Sequence, residues 1–241
     1  MATNLAGGKC IAHRNACLLR VGRLDSLCAP VYGADNGILT TALVTLTASA
    51  EIEVGAEDLR KNGCGTVLVN VKKQDKIKRR NLTGEMVFYD YEAFELMFGG
   101  EVLHGAAGLP WAGEVSGYAE PGPDSPDLDP ISLEVVVENA FGGQGTCSAT
   151  GSDAPVYTGI IFPKVFLTRG DVTIQEGAIN VAFTGTSEPN PAYFTGPWRD
   201  WDDYSAEPFP DYSSMVEIGY DALPLVGLTA GCGFRDTPAA S

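Results

Sequence analysis

Residues 131–138 read ISLEVVVE, and this stretch indicates the fold more directly than any other. Ile131, Leu133, Val135 and Val137 share one parity, and the intervening positions include two glutamates. Such an alternation places the apolar side chains on one face of a β-strand and leaves the other face polar. The pattern therefore predicts a strand of an antiparallel sheet that has one buried face.

Further strands are predicted on both sides of this one, because Val, Ile, Leu, Thr and Phe recur between Gly, Pro and Asn signals. Arg169-Gly170 and Glu176-Gly177 are predicted as turns that separate the last three strands. The predicted strands cover residues 38–54, 66–72, 81–88, 131–138, 156–167, 171–175 and 178–185. We therefore expect a mainly β protein, with an antiparallel sandwich or barrel-like core and long loops.

One segment changes from period two to a helical period. In residues 90–100 (DYEAFELMFGG), Ala93, Phe94, Met97 and Phe98 recur at the spacing of one helix face. Asp90 is a suitable N-cap, and Gly99-Gly100 supply a C-terminal stop. The pattern predicts one short flanking helix.

The predicted organisation is a single β-rich domain with extended ends. The 241 residues and the hydrophobic fraction of 44% suffice for one large core. Residues 1–36 are predicted to be an irregular arm with short extended pieces, one of them a strand at Leu18, Leu19 and Val21; residues 37–190 are predicted to be the core, and residues 191–241 an extended acidic and aromatic segment. Within the core, residues 101–130 contain five prolines and are predicted to be a long loop insertion.

The charge is strongly negative and unevenly distributed. The net charge is −15, which argues against general binding to nucleic acid, because phosphates are repelled. Residues 101–241 hold 4 Lys/Arg against 20 Asp/Glu, whereas half of the 16 basic residues lie between Arg60 and Arg80. Such asymmetry is typical of a charge-complementary contact between copies or partners, and equally of a solvated face.

The sequence offers little that would support catalysis. His13 and His104 are the only histidines, and neither has a recognisable partner nearby. There is no GxSxG elbow, no P-loop and no zinc spacing among the six cysteines. The aspartates at 124–129 lack the Gly and Glu of a calcium loop. We therefore expect no enzyme activity, no cofactor and no bound metal.

Two blocks resemble the major tail proteins, or tail tube proteins, of long-tailed non-contractile bacteriophages that infect actinobacteria. The first block, residues 48–100, has an acidic strand (Glu51-Ile52-Glu53-Val54), the turn at 61–65, a basic connection and the capped helix in that order. The second block runs from Ile161-Phe162-Pro163-Lys164-Val165 to Asn190-Pro191. Together the blocks cover about a third of the chain.

The resemblance implies a structural protein of the virion that assembles in the bacterial cytoplasm. Six subunits would form a ring, and stacked rings would form a tube that conducts genomic DNA without binding it specifically. The implied partners are other copies of the chain, a tape-measure protein, and the tail terminator and tip proteins. The resemblance implies no membrane partner.

Three sets of residues follow as candidate assembly positions. The first set is acidic residues on alternating strands, which we expect to face the lumen. The second is basic and acidic residues that would meet between rings, and the third is aromatic residues at an interface. The lumen candidates are Glu51, Glu53, Glu85, Glu134 and Glu138; the inter-ring candidates are Lys72, Lys73, Lys76, Lys78, Arg79, Arg80, Asp124, Asp127 and Asp129; and the aromatic candidates are Trp198, Trp201, Tyr204 and Tyr212.

Two alternatives remain open from the sequence. A head decoration or head–tail joining protein would also be an acidic, β-rich virion component, but it would form monomers or trimers on a shell. A carbohydrate-binding β-sandwich would be a discrete monomer, and Trp198, Trp201 and the loop at 124–129 would suit it.

Overall fold

The computed structural model describes residues 12–31, 33–61, 64, 67–87, 91–125, 128–140, 157–176, 178–192, 210, 212–220 and 234–237. These residues form thirteen strands and one helix. In chain order they are β1 (Ala12–Arg23), β2 (Gly33–Thr40), β3 (Leu43–Glu53), β4 (Glu57–Lys61), β5 (Val67–Lys72), β6 (Lys76–Val87), α1 (Tyr91–Phe98), β7 (Glu101–His104), β8 (Val115–Ala119), β9 (Ile131–Ala140), β10 (Tyr157–Gln175), β11 (Ala178–Glu188), β12 (Val216–Tyr220) and β13 (Phe234–Thr237).

Nine of the strands form one antiparallel sheet, and the prediction of a mainly β, antiparallel fold is confirmed. The strand order is β13-β2-β1-β9-β10-β11-β6-β3, and β12 pairs with the first half of β10. The remaining strands form two separate hairpins, β4–β5 and β7–β8.

The sheet curls until its two ends approach each other. Strands β2 and β3 lie near opposite ends of the strand order, yet only residues 41 and 42 connect them. The three Cα–Cα steps from Thr40 to Leu43 span at most about 11 Å, whereas six inter-strand spacings of about 4.8 Å would separate β2 from β3 in a flat sheet, so a flat sheet could not be joined in this way. The curled sheet encloses one apolar core, to which strands β1, β2, β6, β9, β10 and β11 all contribute buried side chains.

Helix α1 covers part of this core. Ala93, Phe94, Met97 and Phe98 are buried, as the helical period predicts, and Phe98 lies 6.3 Å from Phe183 of β11 between ring centroids. The helix ends where Gly99 and Gly100 take positive φ values of 72° and 92°, which glycine adopts without steric cost. The predicted N-cap, Asp90, lies outside the described residues.

The N-terminal region departs from the prediction. The strand predicted at Leu18, Leu19 and Val21 is present, but it is part of the longer β1 (Ala12–Arg23), which lies between β2 and β9 inside the large sheet and not in an irregular arm. Leu19 and Val21 of this strand are fully buried. The cause is long-range pairing with β9, which begins more than a hundred residues later and which local sequence patterns do not report.

The region 156–185 is also paired differently from the prediction. Residues Tyr157–Gln175 form one strand of 19 residues, and Arg169-Gly170 is not a turn but part of a register shift between Arg169 and Val172. A second register shift surrounds Pro163, which has no N–H to donate to a neighbouring strand. The predicted separation of β10 from β11 near residue 176 is confirmed.

Strands also occur in three segments for which none is predicted. The insertion at 101–130 includes the β7–β8 hairpin, which packs on α1. The turn region before residue 66 is preceded by β4. Of the predicted basic connection Lys72 to Arg80, only residues 73–75 lie outside strands, since Lys72 ends β5 and Lys76 begins β6.

Candidate functional site

The most distinctive feature of the molecule is a two-stranded extension, residues 50–80, which we call the arm. Strands β3 and β6 run beyond the core as a pair, and β4 and β5 continue the ribbon. Strands β4 and β5 make extensive contact only with each other among the described elements. The side chains described at 56–59 and 70–78 are all exposed. The arm therefore extends away from the core.

Local hydrogen bonds join the two strand pairs of the arm, β3–β6 and β4–β5. The Gly55 N–H donates to Asp75 Oδ1 at 2.9 Å, and the Lys73 N–H donates to the Ala56 carbonyl at 2.9 Å. A β-carbon at position 55 would collide with the Lys73 carbonyl oxygen, so the close approach of the two strands requires glycine.

An ion pair joins the strands at the base of the arm. Arg79 Nε donates to Glu51 Oε2 at 2.6 Å, and Lys78 Nζ lies 3.8 Å from Glu51 Oε1. The hydrogen bond from Arg79 is the main cause that lowers the pKa of the Glu51 carboxyl below its ordinary value of 4.5, although burial acts in the opposite direction. Glu51 is thus tied to its own chain.

The arm has one apolar stripe that nothing in the described chain covers. Ile52 and Ile77 lie directly opposite each other, and their side chains are 58% and 52% exposed. Val54 extends the stripe and is 70% exposed. Leu46 and Ala48 share the parity of Ile52, and both pack on the core. The face of β3 that is buried in the core therefore continues onto the arm, where it is exposed.

The lumen candidates separate into two groups. Glu53 is exposed, and Glu51, Glu85 and Glu138 are partly buried, so these four stay predictions. Glu134 has no exposed surface, and the prediction that it faces a lumen is wrong. The predicted alternation of residues 131–138 between two faces is confirmed, but the face of β9 that carries Glu134 is covered by a second, smaller apolar cluster.

Glu134 belongs instead to a buried network of three strands. Arg20 Nε of β1 donates to Glu134 Oε2 at 2.5 Å, and the Tyr220 hydroxyl of β12 donates to Glu134 Oε1 at 2.6 Å. All three side chains are buried. A β-carbon at Gly159 would collide with Glu134 and Tyr220, so glycine makes room for the network. This network was not predicted from the sequence, although the single arginine between apolar neighbours in β1, Arg20, indicated a buried partner of opposite charge.

The other candidates are mostly exposed where they are described. Lys72, Lys73, Lys76 and Lys78 are exposed on the arm, and Arg79 and Arg80 at its base are half-buried. The acidic inter-ring candidates Asp124 and Asp129 are exposed, and the aromatic candidate Tyr212 is 84% exposed. Asp127, Trp198, Trp201 and Tyr204 lie outside the described residues.

A cleft of about 450 Å³ lies beside the C-terminal end of α1, and we call it the acidic cleft. Carboxylates of Glu95, Glu101, Glu120 and Asp129 line it, together with apolar residues that include Leu96 and Leu128. Arg23 is the one basic residue among its described lining.

Arg169 fixes one wall of the acidic cleft. Its guanidinium pairs with Glu120 and lies 5.3 Å from the Phe94 ring centroid and 5.6 Å from that of Tyr118. The Tyr118 hydroxyl donates to the Gly99 carbonyl at 2.5 Å. Burial raises the pKa of the Tyr118 phenol above 10.0, with opposition from Arg169, so the hydroxyl stays protonated at neutral pH. These contacts attach the β7–β8 hairpin to α1 and β10.

The described residues show no arrangement typical of a reactive centre. His104 is exposed, with Nδ1 3.2 Å from the Gly113 carbonyl oxygen, and the side chain of His13 is not among those described. No group of three or more His, Cys, Asp or Glu side chains in the described ranges is placed to hold a metal ion. Within the same ranges, no helix has the length and apolar character to cross a membrane.

Comparison with known proteins gives no identification. No protein-family model matches the chain, and no curated protein matches it in sequence.

Proposed function

We propose that this protein is a structural subunit that joins to copies of itself through the arm, and that the assembly is the tail tube of a long-tailed non-contractile bacteriophage. The arm is the observation that carries the proposal. The resemblance of residues 48–100 and 161–191 to tail tube proteins gives the particular assembly.

The structure of an isolated subunit does not explain why the apolar stripe on the arm is exposed. A two-stranded ribbon is marginally stable in water by itself, and an apolar sheet edge invites pairing with other chains. Ile52, Val54 and Ile77 add an apolar face that water covers poorly. A neighbouring subunit that packs on this face would order the ribbon and, at the same time, cover its exposed apolar side chains.

The surfaces available for assembly differ from one another, and this favours a head-to-tail arrangement. The arm leaves one end of the sheet, where β3 has a single neighbour, and the short strand β13 occupies the other end. Contacts between unlike surfaces generate rings when they close and filaments when they do not. One closing contact and one repeating contact would together produce a tube.

The charge suits a conduit for DNA. A duplex carries about one negative charge per 1.7 Å, so acidic walls would let it pass without adhering. The net charge of −15 and the accessible carboxylates of Glu53, Glu85 and Glu138 support a role as a conduit for DNA.

Negative-stain electron microscopy of the concentrated, full-length protein tests the proposal. We expect hollow tubes or stacked rings of uniform width. A matched variant in which Asn-Gly replaces residues 54–75 keeps the Glu53–Lys76 strand pair and closes it with a two-residue turn. We expect this variant to fold and to stay monomeric. Tubes of normal appearance from the shortened variant, or discrete monomers from the full chain at every concentration, would contradict the proposal.

A further inference from the structure

The apolar face of the sheet extends beyond the core at a second place besides the arm. This place is the hairpin end of β10 and β11, residues 172–181, which we call the β10–β11 tip. Val181 and Phe183 of β11 are buried in the core, and Ile179 shares their parity. Ile174 lies directly opposite Ile179 and is 76% exposed. The tip therefore carries an apolar stripe on the same face of the sheet as the stripe on the arm.

The two stripes lie at opposite ends of the same group of strands. Among the described residues, β6 pairs with β11 from Arg80 to Val87. On one side of this range β6 continues with β3 into the arm, and on the other side β10 and β11 continue without β6 into the tip. The stretch of β6 from Ile77 to Met86, which pairs with Val181, spans about 30 Å. The arm of a chain is therefore too far from the tip of the same chain to pack on it.

The two stripes match in width and in chemistry. Each is a cross-strand pair of isoleucines on a two-stranded ribbon, with one valine two residues away. The members are Ile52, Ile77 and Val54 on the arm, and Ile174, Ile179 and Val172 on the tip. Because both surfaces are apolar and equally wide, packing one ribbon on the other would remove both stripes from water.

We propose that copies of the chain stack along the strand direction, with the Ile52–Ile77 stripe of one arm packed on the Ile174–Ile179 pair of the next copy's tip. This inference rests on the proposed function and names the surface that covers the arm. The contact joins unlike surfaces at opposite ends of the chain, so every copy in a stack keeps one orientation and offers a free stripe to the next copy. Such a contact does not close on itself, and it supplies the repeating contact that a tube needs along its axis.

Reciprocal charge insertion tests the pairing. One variant carries Ile77→Asp in the arm, and the other carries Ile174→Lys in the tip. Both positions are exposed in the single chain, so we expect both variants to fold. Each variant alone places an unpaired charge in the apolar contact, so we expect the concentration needed for assembly to rise by about tenfold or more.

An equimolar mixture of the two variants should assemble again. In a mixed stack, the new carboxylate on the arm meets the new ammonium group on the tip at one contact, and the next contact joins an unchanged tip to an unchanged arm. The control is Leu27→Asp in the loop between β1 and β2, where the side chain is 78% exposed and lies outside both stripes. This control should assemble like the unchanged protein, and a loss equal to that of Ile77→Asp would count against a specific contact.

Sedimentation velocity separates this inference from the proposed function, because it detects pairs of copies as well as tubes. Pairs that both Ile77→Asp and Ile174→Lys weaken, without tubes from the unchanged protein, would support the contact while the tube fails. Monomers of the unchanged protein at every concentration would contradict both.

Two results would overturn the pairing alone. The first is assembly that Ile77→Asp impairs and Ile174→Lys leaves unchanged, because the arm would then join copies through a surface other than the tip. The second is a mixture of the two folded variants that associates no better than either variant by itself.

Discussion

In the core, β3 and β6 place Leu46 and Leu82 against buried apolar side chains, whereas in the arm the same two strands place Ile52 and Ile77 in water. The two strands stay paired in both regions, with a register shift between Glu51 and Ile52 where the arm begins, and the two regions differ in what covers the apolar side chains. A strand pair in the core is stabilised by its own chain, and the strand pair in the arm needs another surface. The comparison indicates that the arm is an incomplete half of an interface.

The largest effect on folding is expected in the core, at Glu134. Glu134→Gln removes the buried carboxylate charge that pairs with Arg20, and breaking a buried ion pair by changing one partner costs about 3–5 kcal/mol. We expect the free energy of unfolding in urea to fall by that amount. The matched change Glu53→Gln on the arm should leave it unchanged, and equal losses at both positions would break the distinction between core and arm.

A smaller effect is expected at Gly159. Gly159→Ala would push a methyl group into Glu134 and Tyr220, and overpacking of this kind costs about 1–3 kcal/mol. Gly122→Ala is the control, because a β-carbon there meets nothing within 4 Å. Thermal unfolding of the two variants measures the difference, and a Gly159→Ala protein as stable as the control would argue against the packing described here.

Ile77→Ser on the arm should separate folding from assembly. Ile77 is half exposed, so the free energy of unfolding of the monomer should change by less than about 1 kcal/mol. Assembly should nevertheless be impaired, because the apolar stripe is interrupted. Light scattering at increasing concentration measures assembly, and a variant that assembles normally would remove the stripe from the interface.

The smallest effect is expected from pH at the base of the arm. The pKa of Glu51 is lowered in the folded arm, so the Glu51–Arg79 pair contributes fully above pH 4.5 and is lost as the pH falls through the lowered value. We expect the Arg79 Nε–H signal, which reports the hydrogen bond to Glu51, to be constant from pH 8 to pH 5 and to shift only below pH 4.5. Glu51→Gln should abolish the transition, and a transition that persists in this variant would belong to another group.

The spacing of hydrophobic residues and the helix-capping signals were sufficient to predict β9 and α1, because ISLEVVVE and the spacing of Phe94, Met97 and Phe98 are local signals. The position of β1 in the sheet was not predictable, since its partner β9 is far away in sequence. The burial of Glu134 was not predictable, because alternation shows which residues share a face and not what covers that face. The sequence Arg169-Gly170 does not distinguish a turn from a bulge, because both tolerate Arg-Gly.

The same limit applies to the arm and to the acidic cleft. The basic segment at 72–80 and the acidic segment at 124–129 are visible as charge runs. The structure adds the apolar stripe beside the first, and the cleft at the end of α1 beside the second. Both depend on strand register and on contacts between distant elements, which charge counts do not contain.

Amide hydrogen exchange of residues 50–80, compared between dilute monomer and assembled protein, tests most directly whether a neighbouring copy covers the arm. We expect fast exchange of the arm in the monomer, alongside slow exchange of β1, β9 and β10, and a slowing of arm exchange by about a hundredfold or more on assembly. An assembly in which the arm exchanges as fast as in the monomer would contradict the proposal that the arm is the joining element.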